Sequence, residues 1–465
     1  MSGYKFSHIP QKVPPVSTNY RRIKTMLPVA DSLPIFESLE KYEARSMHGQ
    51  LPVVWDRAEG FQVYDPYGNC WIDFTSTIFV ANSGHANPKI ISAIQKKLDQ
   101  KLLHTYTFAH ETRVHFLKKL IEISPEPFQK AFLLSAGTES TECAIKLMRM
   151  HGQTVKPSKI AIISFQGSMH GRTMGAEMLK GDPKSSSWIG YMDPNIYHLS
   201  IPFPWTSQNN TERGYDWKMH FYKDIHSLKD RGLDFSNIAG FIIESYVGWS
   251  AFFFPVDYIK TLVAFAKEHN SLVVFDEMQA GFGRTGKLFA FQHYKVEPDM
   301  LCLGKGLSGS LPLSAVLGRQ KILDLPEIGS MSSTHSANPL CCAAGLANIE
   351  AIESENLVEE SEKKGKVLHD CLLKLKEKYS HRISYVFGKG LIAAVIFNHP
   401  KTKEPDATFP TKVCERAMQK GLLLVHTGRE SIKIGPPLTI PKDALLEGLN
   451  VLEESIAETN TEELW

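Results

Sequence analysis

Two acids and a lysine, set at the ends of two short apolar runs, carry the chemistry this chain offers. Leu272-Val-Val-Phe275 runs into Asp276 and Glu277, and Met300-Leu-Cys-Leu-Gly304 runs into Lys305, which is followed by Gly306. Short β-prone runs closed by polar residues and glycine are how buried parallel strands deliver their carboxyl ends to a ligand. A lysine held there between glycines has little reason to be a surface charge. Desolvation lowers its pKa and favours the neutral amine that condenses with an aldehyde. An acid on the neighbouring strand completes what pyridoxal phosphate chemistry requires: the lysine holds the cofactor as a Schiff base and the carboxylate keeps the pyridine nitrogen protonated. Other readings fit parts of the pattern. A strand-end Asp-Glu pair also serves as a helix cap or a metal ligand. Gly304-Lys-Gly-Leu-Ser-Gly309 matches G-x-G-x-x-G, with Asp324 placed like a dinucleotide's ribose partner. That fingerprint needs a helix directly after it, whereas Pro312 and the β-like Leu313-Ser-Ala-Val-Leu-Gly318 follow.

The elements that must position these residues are readable on either side. Ala131-Phe-Leu-Leu-Ser135 reads as a strand that enters the small-residue turn Ala136-Gly-Thr-Glu139 and then a helical stretch. Strand, turn and helix N-terminus together present free N–H groups to an anion, which assigns Gly137 and Thr138 to a phosphate. A strand over Lys159–Phe165 leads to Gln166-Gly-Ser-Met-His-Gly-Arg-Thr173, and another over Ile238–Ser245 ends at Glu244. Helical patterns start at Pro88, at Glu111 and at Tyr258, and Val53–Asp73 reads as a hairpin or meander around Asp65-Pro-Tyr-Gly68. Residues 1–42 read as a proline-rich arm ending in a short helix, either loose or laid across a partner. Residues 181–237 form a polar, aromatic-rich insertion without a readable motif. Past Pro339 come a helix, a charged helix to Tyr379, strands at RISYVFG and LIAAVIF, and two more helices.

Bulk properties exclude several classes. With 465 residues the chain suits a large domain and a smaller companion, and 43% hydrophobic with 22% charged residues is ordinary for a globular protein. A net charge of +2, from 52 basic and 50 acidic side chains, gives no electrostatic case for nucleic acid or an anionic membrane. The 7 cysteines lack metal-ligand spacing and a disulfide framework, so reduced thiols and no metal site are expected. No apolar run reaches membrane-spanning length, and the first residues show no secretory h-region; a cytoplasmic enzyme is expected.

Phe275-Asp-Glu-Met-Gln-Ala-Gly-Phe-Gly-Arg-Thr-Gly286, followed by PDMLCLGKGLSGSLPLSAVLG from Pro298, resembles the signature of the class III aminotransferases. These are pyridoxal-phosphate enzymes of fold type I that include the 4-aminobutyrate and ornithine aminotransferases. The resemblance runs from about Glu43 to about Leu438. It implies an α/β fold with a large cofactor-binding domain around a mostly parallel sheet, over 86–345. The smaller α+β domain is built from both termini, from 1–85, which includes the arm, and from 346–465. It also implies a homodimer with a composite active site. Lys305 and Asp276 carry over as catalytic residues. The cofactor is met by Gly137 and Thr138 at the phosphate, Met169 on the ring face, Asp276 at the ring nitrogen, Gln279 at the ring hydroxyl, Glu244 nearby, and Thr334 reaching the neighbouring subunit's phosphate. Ile78, Arg172, Trp249 and Lys433 fall at substrate positions.

The implied reaction moves an amino group from an ω-amino acid or primary amine to a 2-oxo acid, 2-oxoglutarate or pyruvate, by a ping-pong route through the Lys305 Schiff base. An epimerase or aminomutase would use the same lysine, and a non-catalytic homologue is opposed by intact Lys305 and Asp276. The chain departs from the family at five places. Ala136 replaces a serine, so a hydroxyl contact to phosphate falls to Ser135 or Thr138. Met169 replaces an aromatic residue, and Thr77 a glycine that usually precedes Ile78. Trp249 and Lys433 replace the glutamate and arginine that pair as a gate for the second acid, with His426 and Arg429 close to Lys433 in sequence.

Overall fold

The computed structural model describes residues 6–202 and 215–462, so part of the aromatic-rich insertion lies outside the described residues. Its centre is a sheet of seven strands: β1 Lys130–Leu134, β2 Ala161–Phe165, β3 Ile196–Leu199, β4 Ile238–Glu244, β5 Leu272–Asp276, β6 Met300–Leu303 and β7 Ser314–Gly318. Their order is β1-β7-β6-β5-β4-β2-β3. Strands β6, β5, β4, β2 and β3 run parallel, while β7 is antiparallel to both of its neighbours. The link from Gly304 to Leu313 is too short for the crossover that a parallel return needs, which is why β7 comes back antiparallel.

Burial on both faces explains the unbroken apolar runs. Ile242, Val274, Met300 and Val316 pack with Leu147 and Met148 of the helix Gly137–Val155. The alternate residues Phe241, Phe275, Leu301 and Leu317 join a second core with Phe221, Tyr258 and Phe265 from helices Trp217–Ser227 and Val256–Glu268. Asp276 is paired in register with Glu244 on one side and Cys302 on the other, so the carboxyl ends of β4, β5 and β6 lie level.

Both termini build the smaller part. Arg57–Glu59, Gln62–Tyr64 and Cys70–Asp73 form an antiparallel meander, joined by Arg22–Ile23 from the arm and, in parallel, by Leu422–Leu423 from the far end of the chain. Ile23 and Leu27 are buried, so this part of the arm is tied into the sheet. A second antiparallel sheet holds Ile383–Lys389, Ile392–Phe397, Ser431–Ile434 and Val425–His426 in that order. The helix Pro339–Ser354 runs unbroken through residues 345 and 346, and the chain turns at the left-handed Asn356 before the helix Leu357–Lys378.

Arg284 joins the two parts. Its guanidinium is fully buried and donates to Leu391 O at 3.1 Å, to Pro436 O, to Ser76 Oγ at 3.2 Å and to Asn82 Oδ1 at 2.7 Å. The turn it grips is unusual. Ser76, Thr77, Ile78 and Phe79 all have left-handed backbone, with φ of 46, 50, 60 and 67°.

Candidate active site

The level strand ends bring their side chains to one cavity of about 280 Å³. Lys305 follows β6 with φ +43°. A Cβ on the preceding Gly304 would lie 2.5 Å from Met278 Sδ, so a larger residue there would push the Met278 side chain aside. Burial lowers the Lys305 pKa, and nearby Asp276 and Glu244 offset part of that effect. The short 3₁₀ turn Lys305–Leu307 and strand β7 follow the glycines directly, so the helix that a dinucleotide fingerprint needs is missing here. Asp324 instead pairs with Lys130 at 2.5 Å.

The two adjacent acids separate cleanly. Asp276 lines the cavity and accepts from Met278 N–H at 2.9 Å and from His170 Nδ1–H at 2.8 Å. His170 Nε2 is buried and has no partner among the described residues. Glu277 points away, into the protein. It accepts from Ser245 Oγ at 2.6 Å, Ala290 N–H at 2.9 Å and Phe291 N–H at 2.7 Å, tying the loop after β5 to the sheet. Glu244 lines the cavity and accepts from Met169 N–H at 3.1 Å and Gly248 N–H at 3.0 Å. Burial pushes both glutamates up to about 7.

The N-terminus of the helix Gly137–Val155 opens onto the same cavity. Glu139 turns back to accept from the N–H groups of Ser135 and Ala136, at 2.8 and 3.0 Å, which leaves those of Gly137 and Thr138 for an anion. Thr138 Oγ1 lies 2.6 Å from Thr173 Oγ1, and Thr173 donates to Glu142 at 2.5 Å. With the Thr173 proton committed to Glu142, the Thr138 proton goes to Thr173, so Thr138 brings its main-chain N–H rather than its hydroxyl to the slot.

Ile78, Gly137, Thr138, Met169, Glu244, Asp276, Gln279 and Lys305 thus share this cavity, with His170, Tyr246 and Met278 beside them. Tyr246 donates to Gln279 O at 3.1 Å. Four other expected residues lie off it. Lys433 is buried behind Gln279 and donates to its Oε1 at 2.5 Å. Trp249 is half-buried, its ring capped by the Arg429 guanidinium at 3.7 Å from the centroid. Arg172 is exposed and makes no ion pair among the described residues. Thr334 is exposed on a turn whose carbonyl accepts from His104 Nε2 at 2.9 Å. His426 packs edge-on against Phe6. His170 stood in view within its Met-His-Gly-Arg string, whereas the partnership of Tyr246 with Gln279 leaves no local sequence signal.

The aminotransferase class-III profile matches residues 43–456. The 4-aminobutyrate aminotransferase of Mycobacterium leprae is 32% identical over 448 residues, covering 94% of this chain and 98% of that protein. The isoleucine 2-epimerase of Lentilactobacillus buchneri is 31% identical, covering 90% and 94%. Among solved structures, the ornithine aminotransferase of Toxoplasma gondii superposes with a TM-score of 0.81 at 25% identity, covering 94% of this chain and 97% of its own. The expected α/β architecture with a mostly parallel sheet is therefore the fold these enzymes share. A profile matched over most of the chain, with relatives aligned almost end to end, decides the family: the chain belongs to the class-III aminotransferases, enzymes of the transaminase type.

Proposed function

We propose that this enzyme is a pyridoxal-phosphate-dependent transaminase that moves an amino group from an ω-amino acid or a primary amine to a 2-oxo acid, 2-oxoglutarate or pyruvate, in two half-reactions. The observation that carries the reading is the meeting of a buried lysine of lowered pKa, the carboxylate of Asp276 and the Gly137 helix N-terminus in one cavity. The residues fit the cofactor at each end. Main-chain N–H groups of Gly137 and Thr138 suit a phosphate, Asp276 a ring nitrogen, Gln279 a ring oxygen and Met169 a ring face, while Glu244 stands nearby. Bound there, pyridoxal phosphate supplies an electron sink for the charge left when a C–H bond beside nitrogen breaks. With the cofactor bound, the neutral amine of Lys305 would hold it at its aldehyde carbon, and Nζ would stand where a general base can take up and return a proton of the substrate. Asp276, braced by His170 and Met278, would be the group that meets the ring nitrogen. Ile78 gives the donor side an apolar wall, and the exposed Arg172, next in the chain to the cavity residue Gly171, offers a planar fork for a donor carboxylate.

The working unit in this reading is a homodimer, in which the exposed Thr334 serves the neighbouring subunit's phosphate. All seven cysteines are free thiols, which supports a reducing, cytoplasmic setting. Among the described residues no helix is long and apolar enough to cross a membrane. The likeness to an isoleucine 2-epimerase supports one second reading, an epimerase or aminomutase using the same lysine.

The test is a half-reaction. The loaded enzyme is mixed with a panel of amines and no acceptor, and its visible band and the products are followed. Loss of the band in step with one oxo product per site is expected. A donor racemised or rearranged catalytically while the band persists would select the second reading. A purified protein that takes up no pyridoxal phosphate would overturn both.

A further inference from the structure

The amide of Gln279 has two chemically opposite ends, and the end that faces the cavity decides whether the site offers a donor or an acceptor there. We propose that Lys433 is a positioning residue that fixes this choice: it claims the carbonyl of Gln279, so that the amide presents its NH₂ group to the cofactor's ring oxygen. The inference rests on reading the cavity as a pyridoxal phosphate site.

Lys433 comes from the small-domain strand Ser431–Ile434 and is 3% exposed. Its Nζ lies 2.5 Å from Gln279 Oε1 and 4.1 Å from the centre of the Phe79 ring, and among the described residues it has no other hydrogen-bond acceptor. An amine points N–H groups at an amide oxygen whether it is charged or neutral. Burial and the nearby Lys305 push the Lys433 pKa well down, Glu244 pulls it back up, and Arg284 adds to the lowering; the contact survives loss of the charge.

With Oε1 claimed, Nε2 must lie on the other side, and the structure keeps room for it. A Cβ on Gly248 would stand 3.0 Å from Gln279 Nε2 and 2.6 Å from Glu244 Oε1, so glycine at 248 leaves that corner open. Tyr246 holds the main-chain carbonyl of the same residue at 3.1 Å, so Gln279 is fixed at both its backbone and its amide. Without Lys433 the amide is free to turn, and a carbonyl facing a ring oxygen sets two acceptors against each other.

Cofactor uptake by the apoprotein tests this without turnover. Pyridoxal phosphate is titrated into wild type, Lys433→Met, Gln279→Met and the double variant, with tryptophan fluorescence as the readout and melting temperature measured on each apoprotein. Lys433→Met is expected to weaken binding about tenfold, while the apoprotein melts no lower, because a buried amine gives way to an apolar side chain of similar length. In the Gln279→Met background the same change is expected to cost nothing further. Lys433→Arg, which keeps a donor on that wall, is expected to recover most of the affinity. Gln279→Glu keeps a partner for Lys433 but lacks an NH₂ group; it is expected to bind as weakly as Lys433→Met, and Lys433→Leu, expected to weaken binding to the same extent, carries the test if Lys433→Met does not fold. Unchanged affinity in Gln279→Glu, or an effect of Lys433→Met that adds in full to that of Gln279→Met, would overturn the inference. So would a Lys433→Met protein that melts lower but binds normally, the mark of a purely structural lysine. A wild type that takes up no pyridoxal phosphate would remove the cofactor reading itself, ahead of any comparison among variants.

Discussion

A carboxyl group shut away from water holds its proton more tightly, and burial does this to Glu244 and Glu277 beside Asp276. Burial raises each from an ordinary 4.5 to about 7. A group whose folded value exceeds its unfolded value binds protons more tightly in the folded state. Its stabilising contribution is therefore complete below about pH 4.5 and is lost as the pH rises through about 7. Removing one of the two should flatten that slope. In urea unfolding of the apoprotein, the decline in stability between pH 5 and pH 8 is expected to be shallower for Glu244→Gln than for wild type. Parallel slopes would place the ionised form of Glu244 in the apoprotein throughout this range.

At the scale of elements, the left-handed run Ser76–Phe79 is the costliest piece of backbone in the site. Each L-residue held in that conformation costs roughly 1–2 kcal/mol, and Thr77 and Ile78, both β-branched with φ 50 and 60°, are poorly suited to it. The turn survives because its surroundings hold it: Thr75 caps the Thr77 N–H at 3.0 Å, Ser76 Oγ donates to Gly435 O at 2.7 Å, and Arg284 binds Ser76 in turn. Thr77→Gly is expected to stabilise the apoprotein by roughly 0.5–1 kcal/mol, a net of relieved strain and added unfolded-state freedom, seen as a higher melting temperature. A fall would mean that the Thr77 hydroxyl, which donates to Ser76 O at 2.7 Å, matters more than the backbone.

The strands that deliver Glu244, Asp276 and Lys305 were legible because a strand buried on both faces must be apolar without interruption, and its polar end stands out. The helix N-terminus at Gly137 was legible for a similar reason, since strand, small residues and helix follow one another directly. Contacts made through space were not. Lys433 meets Gln279 across 154 residues of chain, and no local pattern marks either as the other's partner. The neighbours Asp276 and Glu277 look alike in sequence too, and only the fold turns one into the cavity and the other into the loop at Ala290–Phe291.

The whole molecule is a chain folded back on itself. Leu422–Leu423 pairs with Cys70–Asp73, and Trp71 Nε1 donates to Met418 O at 2.8 Å, so the two ends share one sheet. The large sheet is joined to this assembly by Arg284, which sits on the loop leaving β5 and grips carbonyls at Leu391 and Pro436 of the small domain. That single guanidinium has a calorimetric consequence. Neither lobe can melt first without stranding a buried cation or several buried carbonyls, so the apoprotein should absorb heat in one cooperative endotherm. Arg284→Met breaks the tie at a cost of about 3 kcal/mol, and its endotherm should move down and broaden or split into two. Two separate peaks already present in the wild type would mean that the lobes melt as independent units, each stable without the other.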